Sequence, residues 1–157
     1  MSTRPVVAAL ALALLSACSS SSDSDVSARA IATIRTQDGT QIGTAQFVES
    51  DAGVVSITVN VTGLSEGNHG MHVHEFGVCD GAAGFGSTGG HYNPFTKKHG
   101  LDNPEGPHGG DLPNLPVNAG GSGSLTYSNP RVRLTAGPNS LFDTDGSAII
   151  IHALADD

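Results

Sequence analysis

Residues 54–61 read VVSITVNV, with an apolar side chain at every second position from Val55 onward. A β-strand turns successive side chains to opposite faces, so this alternation predicts a strand with one face in a core and the other in water. The two preceding segments, residues 28–36 and 40–48, repeat the pattern, and turn-forming residues separate the three at Asp38-Gly39 and at residues 51–53. The sequence therefore predicts three consecutive antiparallel strands.

The alternation continues after this region in residues 71–76 (MHVHEF). A strand there places His72 and His74 side by side on one face, while Met71, Val73 and Glu75 take the other. Residues 77–114 are rich in Gly and Pro and have no strand pattern. A loop of that length in a compact domain is normally functional.

Short strands are predicted again at residues 115–117 and 123–127, and residues 131–134 are expected to be irregular. Residues 147–153 (SAIIIHA) form a strongly apolar strand that carries His152. No segment has a convincing helical pattern, and there is no internal repeat. The expected fold is all-β, a Greek-key β-barrel or sandwich.

Composition sets the class of protein. A chain of 157 residues with 21 Gly, no Trp and 14% charged residues is typical of one turn-rich globular domain. The formal net charge is −8, and only seven Lys and Arg residues are present, scattered along the chain. Because a phosphate-binding surface needs clustered basic residues, nucleic acid is excluded as a partner.

The N-terminal residues have the pattern of an export signal. Arg4 precedes an apolar run at residues 6–15 that is too short to span a bilayer as a mature helix. Leu15-Ser16-Ala17-Cys18 resembles a bacterial lipobox, which predicts a signal peptide at residues 1–17, lipidation of Cys18 and a Ser-rich tether at residues 18–25. An ordinary secretory signal cut near Ala17 is the alternative. We expect an exported protein of the cell envelope or periplasm, attached to the membrane through the lipid anchor alone.

The histidines and one aspartate form two candidate ligand sets. Three imidazoles and a carboxylate spaced eight, nine and three residues apart suit a tetrahedral zinc site; these are His91, His99, His108 and Asp111. An all-imidazole set on the predicted strands suits copper; it consists of His72, His74 and His152. If His91 joins both sets, each metal has four ligands.

Five blocks carry a family resemblance: HGMHVHEFG (69–77), GGHYNP (89–94), KHG (98–100), HGGDLPN (108–114) and IIIHALADD (149–157). They resemble the signature blocks of copper/zinc superoxide dismutases in their bacterial exported form. The resemblance covers the domain from residue 26 to residue 157 and implies an eight-stranded Greek-key β-barrel. It implies copper bound by His72, His74, His91 and His152, and zinc bound by His91, His99, His108 and Asp111.

The resemblance also implies roles for individual residues. His91 would be the catalytic residue, an imidazolate bridge that takes up and releases a proton as copper cycles between oxidation states. Zinc would hold the other nitrogen of this ring and tune its basicity. Asp156 would be the carboxylate that hydrogen-bonds His72 and His99 and so couples the two metals.

Other charged or titratable residues near these blocks have plainer interpretations. His69 is expected to be structural, because its counterpart in the family packs beside the copper strand without binding metal. Lys97 and Lys98 are either solvated loop charges or a local attraction for the superoxide anion.

The family pattern continues past the final Asp-Asp pair with an electrostatic loop, an arginine beside the copper channel and a last strand. That strand carries a Cys that pairs with the counterpart of Cys79. The expectation is therefore a C-terminally incomplete domain that lacks the last strand, with Cys79 left without its disulfide partner. A disulfide between Cys18 and Cys79 is the alternative.

Two functions remain open from the sequence. One is a superoxide dismutase that converts superoxide, its substrate, to oxygen and hydrogen peroxide, with copper and zinc as cofactors and a homodimer as a possible assembly. The other is a non-catalytic copper/zinc carrier or a truncated inactive member of the family. The shared His91 favours the enzyme, because a carrier has no need of a bridging imidazole. A nucleophilic hydrolase is excluded, because the zinc set leaves no open position for a water.

Overall fold

The structure is a computed structural model and describes residues 26–156, which contain seven strands and one 3-10 turn at Gly86–Thr88. The predicted signal peptide, Cys18 and the tether lie outside the described residues. The strands are β1 (Val26–Arg35), β2 (Gln41–Ser50), β3 (Val55–Val61), β4 (Gly67–His74), β5 (Asp111–Val117), β6 (Gly123–Asn129) and β7 (Ala148–Ile151).

The first three strands confirm the prediction from the alternating pattern. β1 pairs with β2 and β2 with β3, both antiparallel, and Phe47 lies opposite Ile57 while Ala45 lies opposite Val59. These four side chains are buried in the core. Burial of a side chain such as Ile57 contributes about 1.5–3 kcal/mol relative to leaving it in water, which is why the alternation sets the register.

The sheet has a Greek-key connection. Its strand order is β1-β2-β3-β6-β5-β4-β7, and all neighbouring strands are antiparallel. The chain therefore leaves β3 and crosses to form β4 on the other side of β6 and β5. β4, β5 and β6 are neighbours in the sheet as well as in the chain, and β3, which precedes them in the chain, lies beside β6. This is the Greek-key arrangement. The all-β fold class is confirmed.

The barrel is nearly closed, with a seam between β1 and β7. Within residues 26–156, β1 pairs only with β2 and β7 pairs only with β4. Residues of both edge strands, among them Ala30 and Ala32 of β1 and Ala148 and Ile149 of β7, line one groove of about 320 Å³. Cys79 is a free, exposed cysteine that lines a second cavity along the same pair of strands.

β4 differs from its prediction in extent and in burial. It begins at Gly67, four residues before the expected start, because pairing with Pro116 and Val117 of β5 extends it beyond the apolar pattern. It is buried on both faces from residue 69 to residue 74. Met71 and Val73 belong to the core, as expected for one face, whereas the opposite face, with the two histidines, is covered by the loop that follows.

β5 begins at Asp111, inside the predicted loop. Asp111 pairs with His72 of β4 across the sheet. The segment Asp111–Val117 has two prolines and no regular alternation, so the local pattern does not indicate the start of this strand. The pairing brings the predicted zinc ligand directly beside a predicted copper ligand.

Among the described residues there is no helix of the length and apolarity needed to cross a membrane.

Candidate metal centre

Strand pairing brings three of the histidines to one place. His72 and His74 are two residues apart on β4 and lie on the same side of it, and His152 follows β7, which pairs with β4. The main-chain N–H of His152 donates to the Gly70 carbonyl at 2.8 Å and continues this contact past the end of β7. His91 reaches the group from the long loop, because its backbone forms an isolated β-bridge with His74.

These four residues form the strand cluster, defined here as His72, His74, His91 and His152. Nitrogens of the four rings lie within 4.8 Å of one another. The Nε2 atom of His72 bonds the Oδ2 atom of Asp156 at 2.7 Å, and the Nδ1–H of His74 donates to the Gly89 carbonyl at 3.0 Å. These bonds determine which nitrogen of each ring remains available.

The ring nitrogens of the strand cluster that make no hydrogen bond show whether a metal fits there. His72 Nδ1, His74 Nε2 and His152 Nε2 are buried and have no hydrogen-bond partner among the described residues. A buried polar atom without a partner costs about 1–3 kcal/mol. Three such nitrogens on adjacent rings are what a metal ion with imidazole preference would satisfy, so the residues fit copper.

The loop cluster consists of His91, His99, His108 and Asp111. The Oδ1 atom of Asp111 lies 3.2, 3.1 and 3.2 Å from the Nδ1 atoms of the three histidines, in that order. Three imidazole nitrogens and one carboxylate oxygen are a donor set that Zn²⁺ takes in proteins. The donor set therefore fits zinc.

Asp111 is prepared for this position by its second oxygen. Its Oδ2 atom accepts hydrogen bonds from the main-chain N–H groups of Gly100 at 3.0 Å and His108 at 2.9 Å. Although burial alone raises the pKa of this carboxyl, these two bonds and the nearby histidines outweigh it, and the net pKa is lowered. The carboxylate is thus charged and directs Oδ1 at the three rings.

By the mutual distances of ligand atoms alone, His72 and not His108 groups with His91, His99 and Asp111, all within 4.8 Å of one another. Neither ring nitrogen of His72 bonds Asp111, because Nε2 bonds Asp156 and Nδ1 has no hydrogen-bond partner among the described residues, whereas His108 has its Nδ1 atom on the same Asp111 oxygen as His91 and His99. We therefore assign His108, and not His72, to the loop cluster.

His91 belongs to both clusters. Its Nδ1 atom faces Asp111 in the loop cluster, and its ring stacks on that of His72 with centroids 3.8 Å apart. Burial, followed by the neighbouring His72, lowers the pKa of His91 to about 4. The ring is therefore neutral near pH 7 and has both nitrogens within reach of a ligand set.

Asp156 connects the two clusters from outside. Its carboxylate bonds the Nε2 atom of His72 at 2.7 Å and that of His99 at 3.1 Å. Burial alone raises the pKa of Asp156, but the bonds from His72 and His99 outweigh it and bring it to about 2. Asn114 bonds both the main-chain N–H and the carbonyl of Asp156, at 2.8 and 3.0 Å, and so holds this residue in place.

Asn114 is one of the residues that the sequence reasoning missed, although it lies in the quoted HGGDLPN block. A second is Arg131, whose guanidinium contacts the main chain of the loop cluster. Neither residue type is a metal ligand of choice, and their partners are distant in the chain, so only the three-dimensional contacts identify them.

The plainer assignments also have a position in the structure. His69 uses both ring nitrogens, since Nδ1 donates to the His152 carbonyl at 2.7 Å and Nε2 lies 3.3 Å from the Ser65 hydroxyl. It packs beside the strand cluster and belongs to neither set. Lys97 and Lys98 are exposed on the loop between His91 and His99.

Comparison with known proteins agrees with this geometry. The family described as "Copper/zinc superoxide dismutase (SODC)" matches residues 41–157. "Superoxide dismutase [Cu-Zn] 1" of Aquifex aeolicus (strain VF5) is 43% identical over 128 residues, which cover 80% of this chain and 75% of that protein. The "Superoxide dismutase-like protein YojM" of Bacillus subtilis (strain 168) is 40% identical over 123 residues, 77% of this chain and 62% of that protein.

A solved structure is also similar. The crystal structure of a SOD-like protein from Bacillus subtilis superposes with a TM-score of 0.77 at 37% sequence identity, covering 83% of this chain and 87% of that one. The family match extends over most of the chain, and every residue of the strand and loop clusters lies within residues 41–157. The chain belongs to the copper/zinc superoxide dismutase family.

Proposed function

We propose that the protein is a superoxide dismutase, with the strand cluster as its copper site and the loop cluster as its zinc site. The observation that carries the proposal is the position of His91, whose ring takes part in both clusters. A carrier that holds two metals gains nothing from a shared imidazole. An enzyme that must couple electron transfer to proton transfer benefits from a shared imidazole, because one ring can then hold a proton beside a redox metal.

The reaction converts two superoxide anions and two protons into oxygen and hydrogen peroxide, so one anion is oxidised and the other reduced. Copper, when bound by the strand cluster, supplies a centre that accepts and returns one electron, whereas zinc has no redox chemistry. His91 holds and delivers a proton at Nε2, the nitrogen on the side of the strand cluster. Its Nδ1 atom stays with the loop cluster, which keeps the ring oriented while the proton moves.

Hydrogen bonds from the other histidines of the strand cluster fix the orientation of their rings. The bond from His74 Nδ1 to the Gly89 carbonyl and the bond from His72 Nε2 to Asp156 select the nitrogen that each ring turns inward. A cavity of about 300 Å³ lies over the strand cluster and is lined by Gly70, His72, His91, His152 and residues 154–156. It admits a small anion to the His91 ring.

The test is to load the full chain with one copper and one zinc and to measure superoxide consumption by pulse radiolysis. We expect activity that requires copper and is abolished in the apoprotein and in the zinc-only protein. A fully loaded, folded protein that consumes superoxide no faster than free solution would contradict the enzyme and favour the non-catalytic carrier.

We also propose that the protein is exported and anchored by lipid at Cys18. The support is the sequence of residues 1–18, with its short basic start, apolar run and lipobox-like end. Cys18→Ser should move the protein from the membrane fraction to the soluble fraction or block its processing. Equal recovery of both forms in membranes would contradict the anchor.

A further inference from the structure

The end of β6 and the residues that follow it contact the main chain of the turn that carries two loop-cluster residues. Asn129 is fully buried at the end of β6, and its Nδ2 atom donates to the Gly109 carbonyl at 2.9 Å. Arg131 donates from Nε to the His108 carbonyl at 3.1 Å and from Nη2 to the Asp111 carbonyl at 2.8 Å. Three carbonyls of residues 108–111 therefore accept bonds from two side chains of one segment.

The two bonds from Arg131 act on the two cluster residues of this turn. A guanidinium is planar, and its donors point in fixed directions, so accepting carbonyls are held at a set distance and angle to each other. The carbonyls belong to His108 and Asp111, whose side-chain atoms Nδ1 and Oδ1 lie 3.2 Å apart. Holding both carbonyls restricts the main-chain conformations of residues 108–111, and with them the relative positions of the two side chains.

Arg131 is not positioned there by a carboxylate. The ion pairs of the described residues include one between Arg133 and Glu49 but none that involves Arg131. The remaining contacts of its guanidinium are with Tyr127, whose hydroxyl lies 3.3 Å from Nη1 and whose ring centroid lies 5.9 Å from Cζ. Its charge is thus directed at main-chain carbonyls, where it lowers the cost of keeping them together.

The segment that carries Arg131 is itself held firmly. The main-chain N–H of Arg131 donates to Asn129 Oδ1 at 2.9 Å, and the Arg131 carbonyl accepts from Asn139 Nδ2 at 3.0 Å. Further along, buried Glu49 accepts bonds from the main-chain N–H groups of Leu134 at 2.8 Å and Thr135 at 2.7 Å. The support therefore runs from the barrel wall to the turn.

We propose that Arg131 is a positioning residue for the zinc site: its guanidinium holds His108 and Asp111 in binding geometry before the metal arrives. This inference rests on the loop cluster being the zinc site, as the proposed function states. It goes beyond that function by assigning zinc retention to a residue that is not a ligand. Partners of this kind typically change metal affinity 10- to 100-fold when they are removed.

The experiment compares Arg131→Met, which keeps the length of the side chain and removes its donors, with Arg131→Lys, which keeps the charge. Arg35→Met is the matched control, because Arg35 also donates to a main-chain carbonyl, that of Gly39 at 2.9 Å, but in an exposed turn. Zinc release to a chelator is measured by stopped flow, and the visible spectrum of Co²⁺ substituted for zinc reports the geometry.

We expect zinc release to be about 10-fold faster or more in Arg131→Met, with altered Co²⁺ bands, and an intermediate effect in Arg131→Lys. Arg35→Met should match the unmodified protein. Circular dichroism and the melting temperature of the metal-free forms separate loss of folding from loss of positioning. If Arg131→Met does not fold, Arg131→Lys decides the question by the same two measurements.

Zinc release and Co²⁺ bands unchanged in the folded variants would overturn the proposal, as would equal zinc affinity before and after Asp111→Ala, since the loop cluster would then not be the zinc site. These readouts do not depend on superoxide. A protein without dismutase activity that nevertheless loses zinc faster in Arg131→Met would contradict the proposed enzyme and support the positioning role.

Discussion

The two clusters are built by different means although they share a residue. In the strand cluster, His72 and His74 are part of β4 and His152 continues β7, so the ladder of main-chain bonds places their rings. In the loop cluster, side chains bond the main chain instead, as when Asp111 accepts from Gly100 and His108. The comparison teaches that the strand cluster should keep its geometry when single side-chain contacts are removed, whereas the loop cluster should depend on the side chains that bond its main chain.

The largest expected effect on activity is at His91, the residue common to the strand cluster and the loop cluster. His91→Ala should lower superoxide consumption by at least about 100-fold and weaken the binding of both metals, because neither set is complete without it. His152→Ala is the control, since it removes one copper ligand and no zinc ligand. Metal analysis and the copper spectrum are the measurements, and two intact, independent sites in His91→Ala would break the comparison.

Asp111→Ala should weaken metal binding at the loop cluster alone. The variant loses the only carboxylate of the loop cluster, and the bonds to Gly100 and His108 are lost with it. We expect zinc affinity to fall by about 10- to 100-fold, faster proteolysis of residues 77–110, and copper binding that is largely retained. Asp102→Ala, an exposed carboxylate on the same loop, should be cut at the native rate. Equal cleavage of Asp111→Ala and Asp102→Ala would show that zinc does not order the loop.

Glu49 on β2 bonds the segment that supports the loop cluster, so its contribution to the stability of the metal-free protein can be measured. It is 1% exposed, and although burial alone raises the pKa of its carboxyl, bonds from Thr135, Leu134 and Arg133 outweigh this and lower it below the ordinary 4.5. A carboxyl with a depressed folded-state pKa adds stability above its unfolded-state pKa and loses it as pH falls through the folded value.

Glu49→Gln should therefore reduce the free energy of unfolding at pH 7 by about 1–3 kcal/mol, and the difference from the native chain should shrink as pH falls below 4.5. Urea unfolding of the metal-free proteins at pH 7 and at low pH gives both values. A difference that stays constant with pH would mean that the ionised carboxylate is not the stabilising form.

The smallest effect is expected at the two lysines of the long loop. Changing Lys97 and Lys98 to Gln should slow superoxide consumption by less than about three-fold, and only at low salt, because exposed charges are screened over about 10 Å at 0.1 M. Arg29→Gln, on the exposed face of β1, is the control for net charge. An unchanged dependence on ionic strength would favour the interpretation of Lys97 and Lys98 as solvated loop charges.

The sequence by itself determined the elements whose cause is local. Alternation of apolar side chains in residues 54–61 predicts β3 because burying one face is what stabilises such a strand, and the neighbouring turns predict its antiparallel partners. The identity of the candidate ligands is also local, because imidazole and carboxylate are recognisable from residue type and from the quoted blocks. The fold class and the family followed from these two kinds of information.

Tertiary structure alone decided the contacts between distant residues. Asp156 meets His72 across 84 positions of sequence, and Arg131 meets Asp111 across 20, at distances that no periodicity encodes. The start of β5 at Asp111 was missed for the same reason, because its partner on β4, and not its own pattern, makes it a strand. Propensity and alternation act over a few residues, whereas closing the barrel brings together side chains and carbonyls whose pairing depends on the whole sheet.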